Sequence, residues 1–184
     1  PDTAVDEASL ESLIRAKEAD TDDFNAFATE GGYVYVHRGL MGYLNSEAEL
    51  AAVMGHEIGH VTGRHMAKRK VQSVLAGIAV TAAAIMSRSQ AAAELANLGG
   101  SAWLTGYSRE QESEADRLGV EYAAKTGYRP EAAADVFRIF QAQERFERDR
   151  AKAEHRDPHL YHGVFSDHPA PDARMIETIK VAAN

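Results

Sequence analysis

The 184-residue chain contains no cysteine, one tryptophan and five prolines. Without cysteine there can be no disulfide, no thiolate metal ligand and no cysteine nucleophile. The compartment stays open, because a cysteine-free chain is at home in oxidising and reducing spaces alike. Positive charge is scarce too: 20 Lys and Arg stand against 28 Asp and Glu, for a formal net charge of −8. That balance argues against nucleic-acid binding, since neutralising phosphates needs clustered basic side chains. Long hydrophobic runs are also missing. The longest, residues 71–86, includes Gln72, Ser73 and Thr81 and falls short of the roughly 20 apolar residues that a membrane span requires. It reads as a buried or interfacial helix. The first residue is Pro1 rather than Met, so the native N-terminus is expected to lie upstream, along with any signal peptide or anchor.

What is present is globular in character. Hydrophobic residues make up 45% and charged residues 26% of the chain, enough for one sizeable core and too apolar for wholesale disorder. No internal repeat and no Gly-, Ser- or Pro-rich linker divides it, so residues 1–184 are expected to form one domain. The eight histidines carry the chemical interest. With no thiolate available, any metal must be held by His and carboxylate.

Residues 3–19 read as helical, with Val5, Leu10, Leu13 and Ile14 along one side. Two β-prone runs, Asn25-Ala26-Phe27-Ala28-Thr29 and Tyr33-Val34-Tyr35-Val36, flank Gly31-Gly32 and predict a hairpin. Residues 41–44 are ambiguous. Asn45 or Ser46 then caps a strong helix with Glu47 and Glu49 in its first turn, where the helix dipole favours negative charge. It runs through Leu50, Val53, Met54 and Ile58 to about Val61 or beyond. After Lys68-Arg69-Lys70 come the apolar helix and a second Ala-rich segment over residues 90–98, broken by Gly99-Gly100. A helix over residues 108–125 should stop at Gly127, and Pro130 should open a long charged helix to about Glu154. A last helix is expected from Asp172 to the end. The class read from this pattern is α+β, mainly α, with a small sheet.

His56-Glu57-Ile58-Gly59-His60 matches HExxH inside one of these helices. Two His four residues apart lie about 40° apart around a helix, so both imidazoles can reach one ion. Glu57 adjoins the first of them and can deprotonate a metal-bound water. Taken alone, the match also fits two solvent-facing His on an ordinary helix. The apolar residues Ala51, Ala52, Val53 and Met54 before it indicate a buried helix instead, where an unpaired Glu is costly.

A zinc site of this type needs a third protein ligand and an open position. His65 is one candidate, since Gly63 and a following His suggest HExxHxxGxxH. Here the His comes one residue early and Met66 takes the ligand position. If the helix continues, His65 sits about 140° from His60 and cannot share its metal. The other candidate lies in Ser108-Arg109-Glu110-Gln111-Glu112-Ser113-Glu114-Ala115-Asp116. Glu112 and Asp116 share a helix face. One can ligate while the other accepts the outer N–H of a ligating His. Glu110 and Glu114 read as a solvated face, but spacing alone does not choose among the three Glu.

HExxH followed by ExxAD within "SREQESEADRLG" resembles the gluzincin zinc metallopeptidases that include HtpX, the CAAX prenyl proteases and the periplasmic barrel-assembly-enhancing protease. The likeness covers nearly the whole chain. "NAFATEGGYVYVHRGL" is similar to the family's edge strand and turn, "EAELAAVMGHEIGHVTGRH" to its active-site helix, and "HPAPDAR" to its His-Pro…Arg motif. The resemblance implies a zincin-like domain whose edge strand lies over the active-site helix. It implies one Zn²⁺ per chain on His56, His60 and Glu112, with Glu57 as general base and Asp116 behind the ligands. It also lays the His168–Arg174 segment over the site, where His168 either helps stabilise the oxyanion or latches the metal; Arg174 is a further oxyanion helper. The modest apolar segment after the active-site helix sets the chain nearer the soluble, envelope-associated branch.

The expected activity is therefore zinc-dependent endopeptidase cleavage of protein or peptide substrates, misfolded or envelope proteins among them. Substrate backbone would add beside Asn25, Ala26, Phe27 and Ala28. The expected location is the cell envelope or periplasm, with peripheral membrane association open and no nucleic-acid partner. The rival reading is a chaperone-like or latched metal-binding module with little proteolysis. His155, His159 and His162 read as a solvated loop rather than a second, weak metal site, and His37 has no assigned role.

Overall fold

The computed structural model describes residues 15–19, 24–87, 106–158 and 168. The expected hairpin forms. Strand β2 (Ala26–Ala28) pairs antiparallel with β3 (Tyr33–His37), setting Phe27 opposite Tyr35, and β1 (Arg15–Ala19) pairs parallel with β3 on its other side. The order is β1-β3-β2, so β2 is an edge strand among the described strands. Gly32, at φ 77°, supplies the left-handed residue of the turn. The ring of Phe27 stacks on Tyr35 with centroids 4.9 Å apart, while Ala26 and Ala28 turn into the core.

Residues 15–19 correct the reading of 3–19 as helix. Lys, Glu and Ala are poor strand formers, but the open side of β3 offers a ladder of backbone partners, and such tertiary pairing overrides weak local propensity. Residues 3–14 lie outside the described residues, as do the 90–98 segment and the helix expected after Asp172.

Five helices follow among the described residues: α1 (Arg38–Met41), α2 (Glu47–Thr62), α3 (His65–Ser87), α4 (Arg109–Lys125) and α5 (Ala132–Ala153). The ambiguous stretch at 41–44 follows the single turn of α1. Ser46 is the N-cap of α2, its hydroxyl accepting from the Glu49 N–H at 3.3 Å. A reciprocal box closes the start of α4, where Ser108 accepts from the Gln111 N–H and the Gln111 side chain accepts from the Ser108 N–H. That helix gives way to Gly127 at φ 85°, as the sequence suggests. Helix α3 begins before the basic cluster rather than after it. Val71, Val74, Leu75, Ile78 and Ile85 on it are all more than half exposed, and none of the described helices is long and apolar enough to cross a membrane.

The core joins the sheet to α2 and α5 through Phe24, Ala26, Val36, Leu40, Ala52, Val53, Val136 and Phe140. Phe24 meets Tyr43 and Phe140 edge-on, each at 5.2 Å. Against the other side of α2 packs α4, along a seam of small residues. A Cβ built on Gly55 would come 2.9 Å from the Gly119 carbonyl oxygen, and one on Gly59 would come 2.8 Å from that of Ala115. Only glycine permits this approach, and it sets the spacing between HExxH and the acidic run of α4.

Candidate metal centre

Helix α2 presents His56, Glu57 and His60, and α4 presents Glu112 and Asp116. The His56 and His60 Nε2 atoms lie 3.0 Å apart. Glu112, fully buried, brings Oε1 to 3.4 Å from the His60 Nε2 and Oε2 to 3.6 Å from the His56 Nε2. His168, also buried, sets its Nδ1 2.8 Å from the Glu112 Oε1 and 3.2 Å from the His56 Nε2. Donor atoms of these four residues all fall within 4.8 Å of one another. Three imidazole nitrogens and one carboxylate oxygen, converging in a buried spot without sulfur, are a donor set suited to a divalent ion such as zinc.

The surroundings order these rings. The Asp116 Oδ1 stands 2.9 Å from the His56 Nδ1, the geometry that directs Nε2 of that ring toward the donor cluster. Glu57 is buried, and its Oε1 lies 3.5 Å from the His168 Nε2. Tyr107 stacks on His60 with centroids 3.9 Å apart, and the Arg69 guanidinium sits 5.1 Å from the Tyr107 ring centre.

The two expected ligands of α2, the Glu112 candidate, Asp116, Glu57 and His168 thus come together. Arg174 lies outside the described residues, as do His159 and His162. His155 is exposed at the end of α5, its Nδ1 3.1 Å from the Lys152 carbonyl oxygen. His37, given no role, is buried edge-on to Phe27 at 5.7 Å.

The surprise is His65. It does not continue α2: the chain breaks at Gly63 and at Arg64, which has φ 53°, and α3 starts anew. The reversal turns the fully buried His65 back beneath His60, Nδ1 to Nδ1 at 2.9 Å, with its Nε2 3.2 Å from the Glu114 Oε2. Glu114 is therefore no simple member of a solvated face. The hydrogen bond from His65, aided by Lys68, holds its carboxyl below the ordinary carboxylate range despite some opposing desolvation. Sequence periodicity missed this arrangement because a non-glycine residue in the left-handed region has no reliable signature. The trace that could have found it is Gly63, where a Cβ would come 2.5 Å from the His65 Nε2.

Strand β2 runs beside this centre with one edge unused by the described strands. The Asn25 carbonyl and the Thr29 N–H bond to β3. Alternation along the strand then turns the N–H and C=O groups of Ala26 and Ala28 to the open edge. Near its end a cleft of about 370 Å³ opens among Thr29, Glu30, His60, Val61, Arg64 and Met66.

The sequence is similar to those of several named proteins. The chain is 39% identical over 124 residues to a putative beta-barrel assembly-enhancing protease of Vibrio cholerae, covering 62% of this chain and 26% of that protein. It is 28% identical over 165 residues to the beta-barrel assembly-enhancing protease of Escherichia coli, covering 85% and 32%. To the metalloprotease LoiP of Escherichia coli it is 32% identical over 156 residues, covering 83% and 56%. The chain thus spans about a quarter to a third of the barrel-assembly relatives and just over half of LoiP. Residues 6–181 match the model of peptidase family M48, and the chain belongs to this family.

Proposed function

We propose that the chain is the catalytic portion of a zinc-dependent endopeptidase that hydrolyses protein substrates in the cell envelope or periplasm. The observation that carries this reading is the convergence of donor atoms from His56, His60, Glu112 and His168 within 4.8 Å, beside the buried carboxylate of Glu57. His56, His60 and Glu112 would hold one zinc ion. Zinc bound there supplies Lewis acidity toward a scissile carbonyl and lowers the pKa of water. Glu57 accepts the proton of the attacking water at a carboxylate oxygen and returns it to the leaving amine nitrogen. Asp116 holds the His56 ring through Nδ1, and Arg174 would assist the developing oxyanion.

Substrate backbone would pair with the open edge of β2 through the N–H and C=O groups of Ala26 and Ala28, with Asn25 and Phe27 flanking them. Relatives named beta-barrel assembly-enhancing protease support an envelope setting and protein substrates; misfolded or envelope proteins are the substrates we infer. The exposed apolar residues of α3 support a peripheral membrane contact. The deciding experiment combines zinc analysis of the purified chain with a casein digest of wild type and Glu57→Gln. Near-stoichiometric zinc in both proteins and cleavage only by wild type are expected; a wild type that takes up no zinc would overturn the reading.

One observation favours a second state of the same centre. The His168 Nδ1 lies as near to the ligand group as the ligands do to each other. A ring so placed would take up a fourth donor position on a bound metal, giving a latched form with little intrinsic proteolysis. His168→Ala distinguishes a latch from an oxyanion helper by the direction in which cleavage changes.

A further inference from the structure

We propose that His65 and Glu114 are positioning residues for the metal site, acting through His60. The proposal rests on the reading of His56, His60 and Glu112 as zinc ligands. His60 directs its Nε2 toward Glu112 and His56, so the nitrogen left to fix its ring is Nδ1. Facing that nitrogen is the Nδ1 of His65, at 2.9 Å.

Proton placement follows from that contact. A His60 that ligates through Nε2 carries its hydrogen on Nδ1 and donates it, so the His65 Nδ1 must accept. A neutral His65 then bears its own hydrogen on Nε2, the nitrogen that faces the Glu114 Oε2 at 3.2 Å. The chain reads Glu114 carboxylate, His65, His60, metal, with each neutral ring donating once and accepting or ligating once. The two HExxH histidines are thereby held in parallel fashion by α4, His56 directly on Asp116 and His60 through an inserted imidazole on Glu114.

The local backbone is shaped for this insertion. Arg64, at φ 53°, adopts a conformation that non-glycine residues avoid, and it turns His65 back beneath the helix it has just left. Gly63 leaves the space that the imidazole occupies. The Gln111 amide donates to the His65 carbonyl oxygen at 3.5 Å, tying the start of α3 to α4. Nothing in a merely space-filling histidine requires both of its nitrogens to meet partners at hydrogen-bonding distance in a fully buried position.

The test measures zinc affinity by competition with a chromophoric chelator, alongside circular dichroism and Tm of the metal-free proteins. His65→Phe removes both contacts, His65→Asn retains an acceptor near the position of Nδ1, and Glu114→Gln removes the terminal charge from a partly exposed side chain. Expected is a loss of zinc affinity of about 10–100-fold for His65→Phe, a partial recovery in His65→Asn, and a smaller loss in Glu114→Gln. Glu110→Gln, on the exposed side of the same helix, should match wild type. If His65→Phe fails to fold, Glu114→Gln against Glu110→Gln decides alone. Zinc affinity in Glu114→Gln equal to Glu110→Gln, with wild type binding tightly and Glu112→Ala binding weakly, would overturn the relay and leave the ligand assignment standing. Tight binding by Glu112→Ala would instead overturn the underlying assignment.

Discussion

Gly59 and Ala115 touch through their backbones, so closely that a Cβ on Gly59 would stand 2.8 Å from the Ala115 carbonyl oxygen. One turn earlier a Cβ on Gly119 would stand 2.8 Å from the His56 nitrogen. The candidate metal centre is therefore a product of helix contact. Glu112 and Asp116 reach the imidazoles because α2 and α4 lie backbone against backbone.

Widening that seam should disturb fold and site together. Gly119→Ala is expected to destabilise the chain by about 1–3 kcal/mol, read as a lowered Tm, and to weaken zinc binding. Gly77→Ala is the control, because a Cβ at that exposed position in α3 meets nothing within 4 Å. It should be neutral or stabilise by up to about 1 kcal/mol. Equal Tm changes in the two variants would contradict the close-contact explanation.

Glu57→Gln should retain zinc and wild-type circular dichroism while casein cleavage falls by about 10²–10⁴-fold. The amide keeps the shape of the carboxylate but cannot take a proton from water. Activity surviving in this variant would remove Glu57 as the base.

Asp116→Asn should reduce zinc affinity by about 10–100-fold, since the amide no longer offers His56 a charged acceptor. Glu112→Ala should lose more, because a donor atom disappears outright. Unchanged affinity in Glu112→Ala would return the third position to Glu110 or Glu114.

His168→Ala should raise casein cleavage several-fold without loss of zinc, because three donors remain and the entrance is cleared. A fall in cleavage at unchanged zinc content would assign the ring to the oxyanion instead.

Away from the centre, Arg156 reaches back along α5 to the buried Glu147, 2.7 Å from its Oε1, and also to Glu154 at 2.6 Å. These carboxylates raise the already high pKa of the guanidinium. Arg156→Ala removes the ion pair to the buried Glu147 and should lower Tm at unchanged zinc affinity.

Local signals carried much of this architecture. The hairpin, the Ser46 cap, the stop at Gly127 and the shared face of Glu112 and Asp116 all follow from chemistry confined to a few neighbouring residues. What escaped was settled at a distance. Residues 15–19 become a strand because β3 offers them partners, which no helical or strand propensity in that segment announces. The reading of His65 assumed a continuous helix. The left-handed turn at Arg64 put the ring behind His60 rather than away from it. Spacing alone did not separate Glu110, Glu112 and Glu114, while the family resemblance pointed to Glu112, the one that the seam with α2 buries beside His60.

The most direct measurement is a crystal structure of the purified chain with anomalous diffraction recorded on both sides of the zinc edge. The expected result is a single zinc peak bonded to the His56 Nε2, the His60 Nε2 and a Glu112 carboxylate oxygen, at about 2.0–2.2 Å. A zinc bound elsewhere, or a zinc-loaded protein whose metal does not touch Glu112, would contradict the assignment.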